Sequence, residues 1–214
     1  MSSQLLRACV VAAADAVEAA RDELCRLDAA AGDGDHGLTM ALAARAVRQA
    51  LADPQDESDH EVLVKIALAM ASVGGASGPI YTSGLLAVAT KLDELPPGPM
   101  TAVKMLALGE AAENAISAIG HAKPGDKTIL DALHPAVEAL RRGQDLAAAA
   151  KAARAGAEAS AEMVATIGRA SRLGERSRGL PDPGATSLAL ILESVHTAAA
   201  RDDQQLAGDE VGLA

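Results

Sequence analysis

The chain has 214 residues, 50% of them hydrophobic, with one Tyr and no Phe or Trp. A chain of this length fits one domain with a substantial core, and an interior of Ala and Leu favours packed helices over sheets. The formal net charge of −10 argues against a nucleic-acid-binding surface and against attraction to an anionic membrane. A polyphosphate ligand would therefore need metal ions or a local basic pocket.

Two cysteines, Cys9 and Cys25, lie in segments of helical periodicity, a placement that indicates neither a disulfide framework nor a zinc site. The N-terminus lacks a charged region followed by an apolar core and a cleavage site, and no run of about 18 apolar residues occurs. The sequence therefore predicts a cytoplasmic protein that is neither secreted nor membrane-spanning.

Apolar residues recur at helical spacing in eight segments, which turns rich in Gly, Pro and Asp separate. The predicted helices span about residues 3–28, 37–52, 59–73, 79–95, 100–119, 128–142, 145–167 and 185–201. Eight helices with short connections predict an all-α fold, an antiparallel up-and-down barrel or bundle. We expect a single domain over residues 1–201, followed by a polar C-terminal tail over residues 202–214.

The least ordinary residues of the chain lie in four loops, which span residues 28–39, 74–79, 120–128 and 174–186. These loops follow the first, third, fifth and seventh predicted helices. If the helices alternate in direction, all four loops meet at one end of the bundle. We therefore expect the chemistry of the protein at that end.

The first of these loops places three carboxylates, Asp28, Asp33 and Asp35, within eight positions and intersperses them with glycines. Carboxylate oxygens suit magnesium, and the glycines let the backbone bring them together. The segment is not an EF-hand, because the sixth and twelfth positions counted from Asp33 are Leu and Ala. The alternative is a solvated turn in which Asp33 caps a helix. His36 would contact a phosphate or cap the second helix.

The second loop, GGASGP (Gly74–Pro79), opens into a predicted helix. Its unobstructed backbone N–H groups and the helix N-terminus would suit an anion. A tight turn between two helices is the alternative interpretation.

The third loop, GHAKPGDKT, resembles a Walker A loop superficially, but Asp126 stands where Gly should precede Lys127 and no strand comes before it. Asp126 would cap the sixth helix, and Lys127 would supply positive charge. Structural capping and ligand contact both remain open for this loop.

The segment 168–187, which contains the fourth loop, gathers Arg169, Arg172, Arg176 and Arg178 in an otherwise acidic chain, and DPGAT (182–186) then starts a helix. Arginines that reach phosphates would oppose the field of the three aspartates. A solvated basic loop is the alternative. Carboxylates, glycine turns and arginines at one rim together favour Mg-nucleotide binding and phosphoryl transfer.

The four motifs together resemble the L subunit, or L domain, of the dihydroxyacetone kinase family. They are DxxxxDGDHG (28–37), GGASGP (74–79), PGDKT (124–128) and GRASRLGERSRGLPDPGATS (168–187), and they occur in the family's order over almost the whole chain. The resemblance implies a barrel of eight antiparallel helices that binds ADP or ATP at one end through two magnesium ions. The aromatic residues that often follow the GGASGP turn are reduced here to Tyr81, which leaves the partner surface and the substrate open.

The resemblance also implies roles for individual positions. Asp28, Asp33 and Asp35 match the metal-binding aspartates, with Ser77 at a phosphate and Ile129 beside the adenine. The positions that match nucleotide-binding residues are His36, Gly37, Leu38, Thr39, Ala76, Ser77, Gly120, Ile129, Arg169, Asp182, Pro183 and Gly184.

In this family a K-type subunit or domain holds the ketose covalently through a histidine, and no K-type region is recognisable in this sequence. The resemblance thus implies the nucleotide-bearing half of a two-component ketose kinase. Its phosphoryl donor would be either ATP that binds and leaves in each cycle, or a phosphohistidine protein of the phosphotransferase system. In the second case, that protein would rephosphorylate an ADP that stays bound. The alternatives are a non-catalytic nucleotide-sensing module of the same fold and a metal-binding helical bundle without a nucleotide.

Overall fold

The computed structural model describes residues 3–53 and 56–211, with the backbone alone for residues 203 and 205–211. Within these ranges the chain forms helices and no strand. The α-helices are α1 (Ser3–Ala19), α2 (Arg21–Ala29), α3 (His36–Ala50), α4 (Asp59–Ala71), α5 (Ser77–Glu94), α6 (Ala102–Gly120), α7 (Leu130–Arg141), α8 (Leu146–Ala159) and α9 (Pro183–Val211). Two 3₁₀ segments, Ser160–Glu162 and Ala170–Ser177, lie between α8 and α9.

The all-α class predicted from the sequence is confirmed, and the predicted first helix is divided into α1 and α2. The division falls at Ala20, where the backbone has φ −84° and ψ 5°. The Ala20 carbonyl still accepts a hydrogen bond from the Leu24 N–H at 2.9 Å. The chain therefore bends at Ala20 without a loop, and α1 and α2 together fill the place of one barrel helix.

The other differences lie at helix ends. The predicted seventh helix, 145–167, ends as α8 at Ala159 and continues as 3₁₀ helix to Glu162. The predicted eighth helix, 185–201, runs as α9 from Pro183 to Val211. The domain boundary at residue 201 stays a prediction, and residues 212–214 of the predicted tail lie outside the described residues.

The helices form a closed ring. α3 to α8 each pack against the next helix along the chain, α1 packs against α3, and α9 closes the ring on α1. Small side chains allow this packing: the buried residues of α8 are Ala149, Ala150, Ala153 and Ala157. Close approach of alanine-rich helices replaces the aromatic core that the composition lacks. No described helix is both long and apolar enough to cross a membrane.

The core has two main parts joined by one aromatic residue. Aliphatic residues of α6 to α9 form one part, and those of α1, α3, α4 and α5 form the other. Tyr81 packs against both parts and against a smaller cluster around Leu24. Tyr81 therefore lies at the junction of the core, directly below the loops at one end of the ring.

Candidate functional site

One cavity of about 470 Å³ lies at the end of the ring where α3, α5, α7 and α9 begin. Residues from the loops before all four helices line it, so the loops that the sequence assigned to one rim do meet there. The volume is within the range of small-molecule sites, roughly 300–1,000 Å³.

The helix N-termini give this cavity an anion-binding character. The first turns of α3 and α9 reach it with His36 and Gly184, and that of α5 with Ser77. The first N–H groups of a helix have no acceptor within the helix, and the helix dipole places partial positive charge at the same end. Several such ends around one cavity favour a polyanion such as a polyphosphate.

The three predicted metal-binding aspartates lie together at the edge of this cavity. Carboxylate oxygens of Asp28, Asp33 and Asp35 are all within 4.8 Å of one another. Gly32 leaves room for this arrangement, because a Cβ atom there would overlap with the Asp28 carboxylate. Gly34 has φ +77°, a conformation that glycine adopts without strain.

Asp28 and Asp33 each have a polar partner. The Asp28 carboxylate accepts a hydrogen bond from the His36 N–H at 3.1 Å and so caps the start of α3. Asp33 pairs with Arg169, whose guanidinium also lies 3.9 Å from the Asp35 carboxylate. The capping role considered for Asp33 therefore belongs to Asp28. The donor set fits a hard cation, because three carboxylates converge and the one exposed arginine offsets only one of their three negative charges.

A chain of hydrogen bonds runs from the cavity into the core. The Ser77 hydroxyl lies 3.3 Å from His36 Nδ1, and the Ser187 hydroxyl lies 3.1 Å from His36 Nε2. Ser187 in turn bonds the Tyr81 hydroxyl at 3.0 Å. Burial lowers the pKa of His36, against the attraction of Asp28. His36 is therefore a neutral imidazole near pH 7, held in orientation by groups from α5 and α9.

Most of the site residues implied by the resemblance line the cavity. Those that do are Asp28, Asp35, His36, Thr39, Ala76, Ser77, Gly120, Ile129, Arg169, Asp182, Pro183 and Gly184. Asp33 is at its edge through the carboxylate cluster. Gly37 and Leu38 do not line it: Gly37 packs against the backbone of α2, and the Leu38 side chain is 53% exposed. Only their backbone N–H groups, in the first turn of α3, could reach a ligand.

The α6–α7 loop is a structural junction. The Asp126 carboxylate accepts hydrogen bonds from the Lys123 N–H at 2.8 Å and from the Thr166 hydroxyl at 2.5 Å. The capping role predicted for Asp126 at α7 belongs instead to Thr128, whose hydroxyl accepts from the Leu130 N–H at 3.2 Å. Lys127 is buried, which the sequence did not reveal because a residue in a Gly- and Asp-rich turn is ordinarily exposed.

Asp182, at the start of α9, is the most perturbed carboxyl described in the cavity. Burial raises its pKa to about 7, and the nearby charge of Asp131 adds to this. Lys127 and the Ala185 N–H, which donates to the carboxylate at 2.7 Å, act in the opposite direction. Asp182 is therefore partly protonated at neutral pH.

Another part of the cavity is apolar. Its large aliphatic lining residues are Leu27, Ile80, Ile116, Ile119, Ile129, Ile167 and Leu180. Only Ile129 was identified before the structure. An apolar residue in the sequence gives no sign of whether its side chain will contact a ligand or pack in the core. An apolar pocket beside an anion-binding rim suits a flat, uncharged ring attached to a polyphosphate.

Comparisons with known proteins agree with this geometry. Residues 30–197 match the model of the DAK2 domain. The chain is 35% identical to the PEP-dependent dihydroxyacetone kinase 1, ADP-binding subunit DhaL, of Listeria innocua, with 80% of this chain and 84% of that protein covered. It is 40% identical to the D-erythrulose kinase of Mycolicibacterium smegmatis, with 86% of this chain and 33% of that protein covered. The chain thus spans about a third of the length of several curated relatives.

Solved structures give the same result. The dihydroxyacetone kinase of C. freundii, in complex with AMP-PNP and Mg²⁺, superposes with a TM-score of 0.71 at 28% identity, over 91% of this chain and 34% of that one. The native form of the same kinase gives a TM-score of 0.72. The resemblance drawn from the four motifs is thereby confirmed. The chain belongs to the DAK2 domain family, as an L-type domain of the dihydroxyacetone kinases.

Proposed function

We propose that this chain is the nucleotide-bearing, phosphoryl-transferring component of a two-component kinase for dihydroxyacetone or a related ketose. One observation carries the proposal: helix N-termini and a cluster of three carboxylates share a single cavity. The first group of features suits phosphates and the second suits a divalent cation. The ADP-binding subunit of Listeria innocua and the AMP-PNP and Mg²⁺ complex of C. freundii support the same ligands here.

Each part of the cavity has a place in this function. Asp28, Asp33 and Asp35 would hold magnesium, two ions by the resemblance, and Ser77 and the first turns of α3, α5 and α9 would bind phosphate oxygens. Bound magnesium neutralises phosphate charge and so favours transfer. Ile129 and the other isoleucines would hold the adenine. Arg169, released from Asp33 by the metal, would turn its charge towards the phosphates.

The ketose would be held by a K-type component. The phosphoryl group would come from ATP that exchanges with solution, or from a phosphohistidine protein that rephosphorylates bound ADP. Similarity over 84% of the Listeria innocua subunit supports this division of labour. The alternative is a non-catalytic nucleotide-sensing module. Formation of a ketose phosphate from dihydroxyacetone by this chain, together with a K-type component and either donor, would exclude that alternative.

The variant Asp33→Asn tests the ligand assignment. It removes one negative ligand while keeping the size of the side chain, so we expect Mg-dependent ADP affinity to fall by roughly 100-fold, as when a charged partner is lost. Calorimetric titration with ADP, with and without magnesium, measures this, and circular dichroism should show unchanged helix content.

The matched control is Asp22→Asn, which removes the same charge from an exposed residue of α2 that pairs with Arg21. We expect its ADP affinity to equal that of the wild type. Equal Mg-dependent affinity in Asp33→Asn and Asp22→Asn would remove Asp33 from the metal site and contradict the proposal.

A further inference from the structure

The resemblance assigns no role to Lys127, and the sequence predicted only that it would supply positive charge. Its side chain is buried, with 5% of the residue exposed. Its backbone has φ +63°, a conformation that is strained for a residue with a Cβ atom and persists only where the surroundings impose it. Glycine would adopt this turn freely, so the lysine is there for its side chain.

The Lys127 ammonium is fully engaged by backbone carbonyls. Its Nζ donates to the carbonyl oxygens of Met163 at 3.3 Å, Ser177 at 2.6 Å and Leu180 at 2.9 Å. An ammonium has three N–H donors, and three acceptors account for all of them. Lys127 lines the cavity, yet no proton is left to donate to a phosphate.

These three acceptors lie on one segment, residues 160–182, which we call the arginine loop. Met163 is in its N-terminal half, and Ser177 and Leu180 are in its C-terminal half. The neighbouring Asp126 adds a second attachment, because its side chain and its backbone carbonyl both accept from Thr166. The α6–α7 loop is therefore hydrogen-bonded to both halves of the arginine loop.

The arginine loop carries the groups that complete the cavity. Its Arg169 reaches the carboxylate cluster through Asp33 and Asp35. Its last residue, Asp182, accepts from the Ala185 N–H and so caps the start of α9. Displacement of the loop would move Arg169 away from the carboxylates and open the apolar part of the cavity.

We propose that Lys127 is a positioning residue, which holds the arginine loop over the cavity and acts on the bound nucleotide only through that loop. The role of the loop in ligand binding rests on the proposed function, whereas the attachment of the loop to Lys127 does not. The two can therefore be tested apart.

The first test needs no nucleotide. Lys127→Met keeps an unbranched stem as far as Cε and removes the ammonium, so the arginine loop loses three hydrogen bonds. The control is Lys123→Met, which removes the same charge from an exposed residue of the same loop. Limited trypsin digestion, with cleavage sites mapped by mass spectrometry, should show at least tenfold faster cleavage at the loop arginines in Lys127→Met alone.

Cleavage at equal rates in Lys127→Met, Lys123→Met and the wild type would overturn the proposal. Faster cleavage spread over all helices would also overturn it, because Lys127 would then support the whole fold and not the loop. A second route keeps the test open if Lys127→Met folds poorly: Lys127→Cys alkylated with 2-bromoethylamine restores an ammonium of similar reach. We expect it to restore slow cleavage, with the alkylated wild type as the control for Cys9 and Cys25.

The second test asks whether Lys127 affects nucleotide binding directly or through the arginine loop. We expect Lys127→Met to weaken Mg-ADP binding at least tenfold and Lys123→Met to change it less than twofold. In an Arg169→Ala background, Lys127→Met should weaken binding by less than threefold further, because both changes disable the same loop. Full additivity of the two changes would show that Lys127 acts on nucleotide binding independently of Arg169, and it would overturn the positioning role. A wild type that binds no Mg-ADP would refute the proposed function and leave the digestion result standing.

Discussion

Single residues at this site make contacts that the surrounding sequence does not predict. Gly32, Gly34 and Gly37 lie within six positions, and a shared role in ligand approach would be the simplest interpretation. In the structure Gly32 makes room for the Asp28 carboxylate, Gly34 adopts a positive φ, and Gly37 packs against α2. Two of the three therefore shape the carboxylate cluster, and the third positions the helix that follows it.

Asp182 provides a prediction at this scale. Its pKa is about 7 in the folded chain against an ordinary value of 3.8, so the folded state holds this proton more tightly than the unfolded state. The free energy of unfolding should therefore decrease as the pH rises from about 4 to about 7, by up to roughly 4 kcal/mol from this group.

The variant Asp182→Asn removes this titration and keeps an oxygen that can accept from the Ala185 N–H. Urea denaturation of the nucleotide-free chain at several pH values measures the effect. We expect the stability of the variant relative to the wild type to increase across this interval. Parallel pH profiles for the two proteins would contradict the burial of an ionisable Asp182.

Among the elements, the contact between α2 and α3 sets the geometry of the carboxylates. α2 carries Asp28, and Asp33 and Asp35 immediately precede α3. Gly37 is the point where the two helices touch, because a Cβ atom there would overlap with the Arg21 carbonyl and with Cys25. The spacing of the three carboxylates thus depends on a helix contact that contains no functional group.

The variant Gly37→Ala tests this contact. The added methyl group must push α3 away from α2, so we expect a loss of roughly 2–3 kcal/mol in the free energy of unfolding, as for overpacking. Urea denaturation measures it. Gly74→Ala is the control, because nothing lies within 4 Å of a Cβ atom there, and its effect should stay within about 0.5 kcal/mol. Equal stabilities for the two variants would contradict the close packing at Gly37.

For the whole molecule, the sequence predicted the arrangement well and the contacts less well. Alternating helices placed four loops at one rim, and turn composition located those loops, so the site could be found before its geometry. The bend at Ala20 was missed because neither Gly nor Pro marks it. The hydrogen bond between Tyr81 and Ser187 joins residues 106 positions apart, and no local pattern reports a pairing of that kind.

The burial of Lys127 was missed for a related reason. A lysine in a turn between helices is ordinarily solvated, and its three acceptors are backbone carbonyls 36 to 53 positions away. Carbonyl groups occur at every residue, so the sequence carries no sign of which of them are used. The carboxylates were found because a local excess of like charge is itself unusual.

The central claim is that the cavity at this rim binds a magnesium nucleotide. The most direct measurement is to purify the chain, denature it, identify any released nucleotide by chromatography, and titrate the emptied protein with ADP in magnesium or in EDTA. We predict binding of one ADP per chain that requires magnesium, with ADP retained through purification if it serves as a coenzyme and exchanged freely if ATP is the donor. No released nucleotide, together with no binding in the presence of magnesium, would contradict the account.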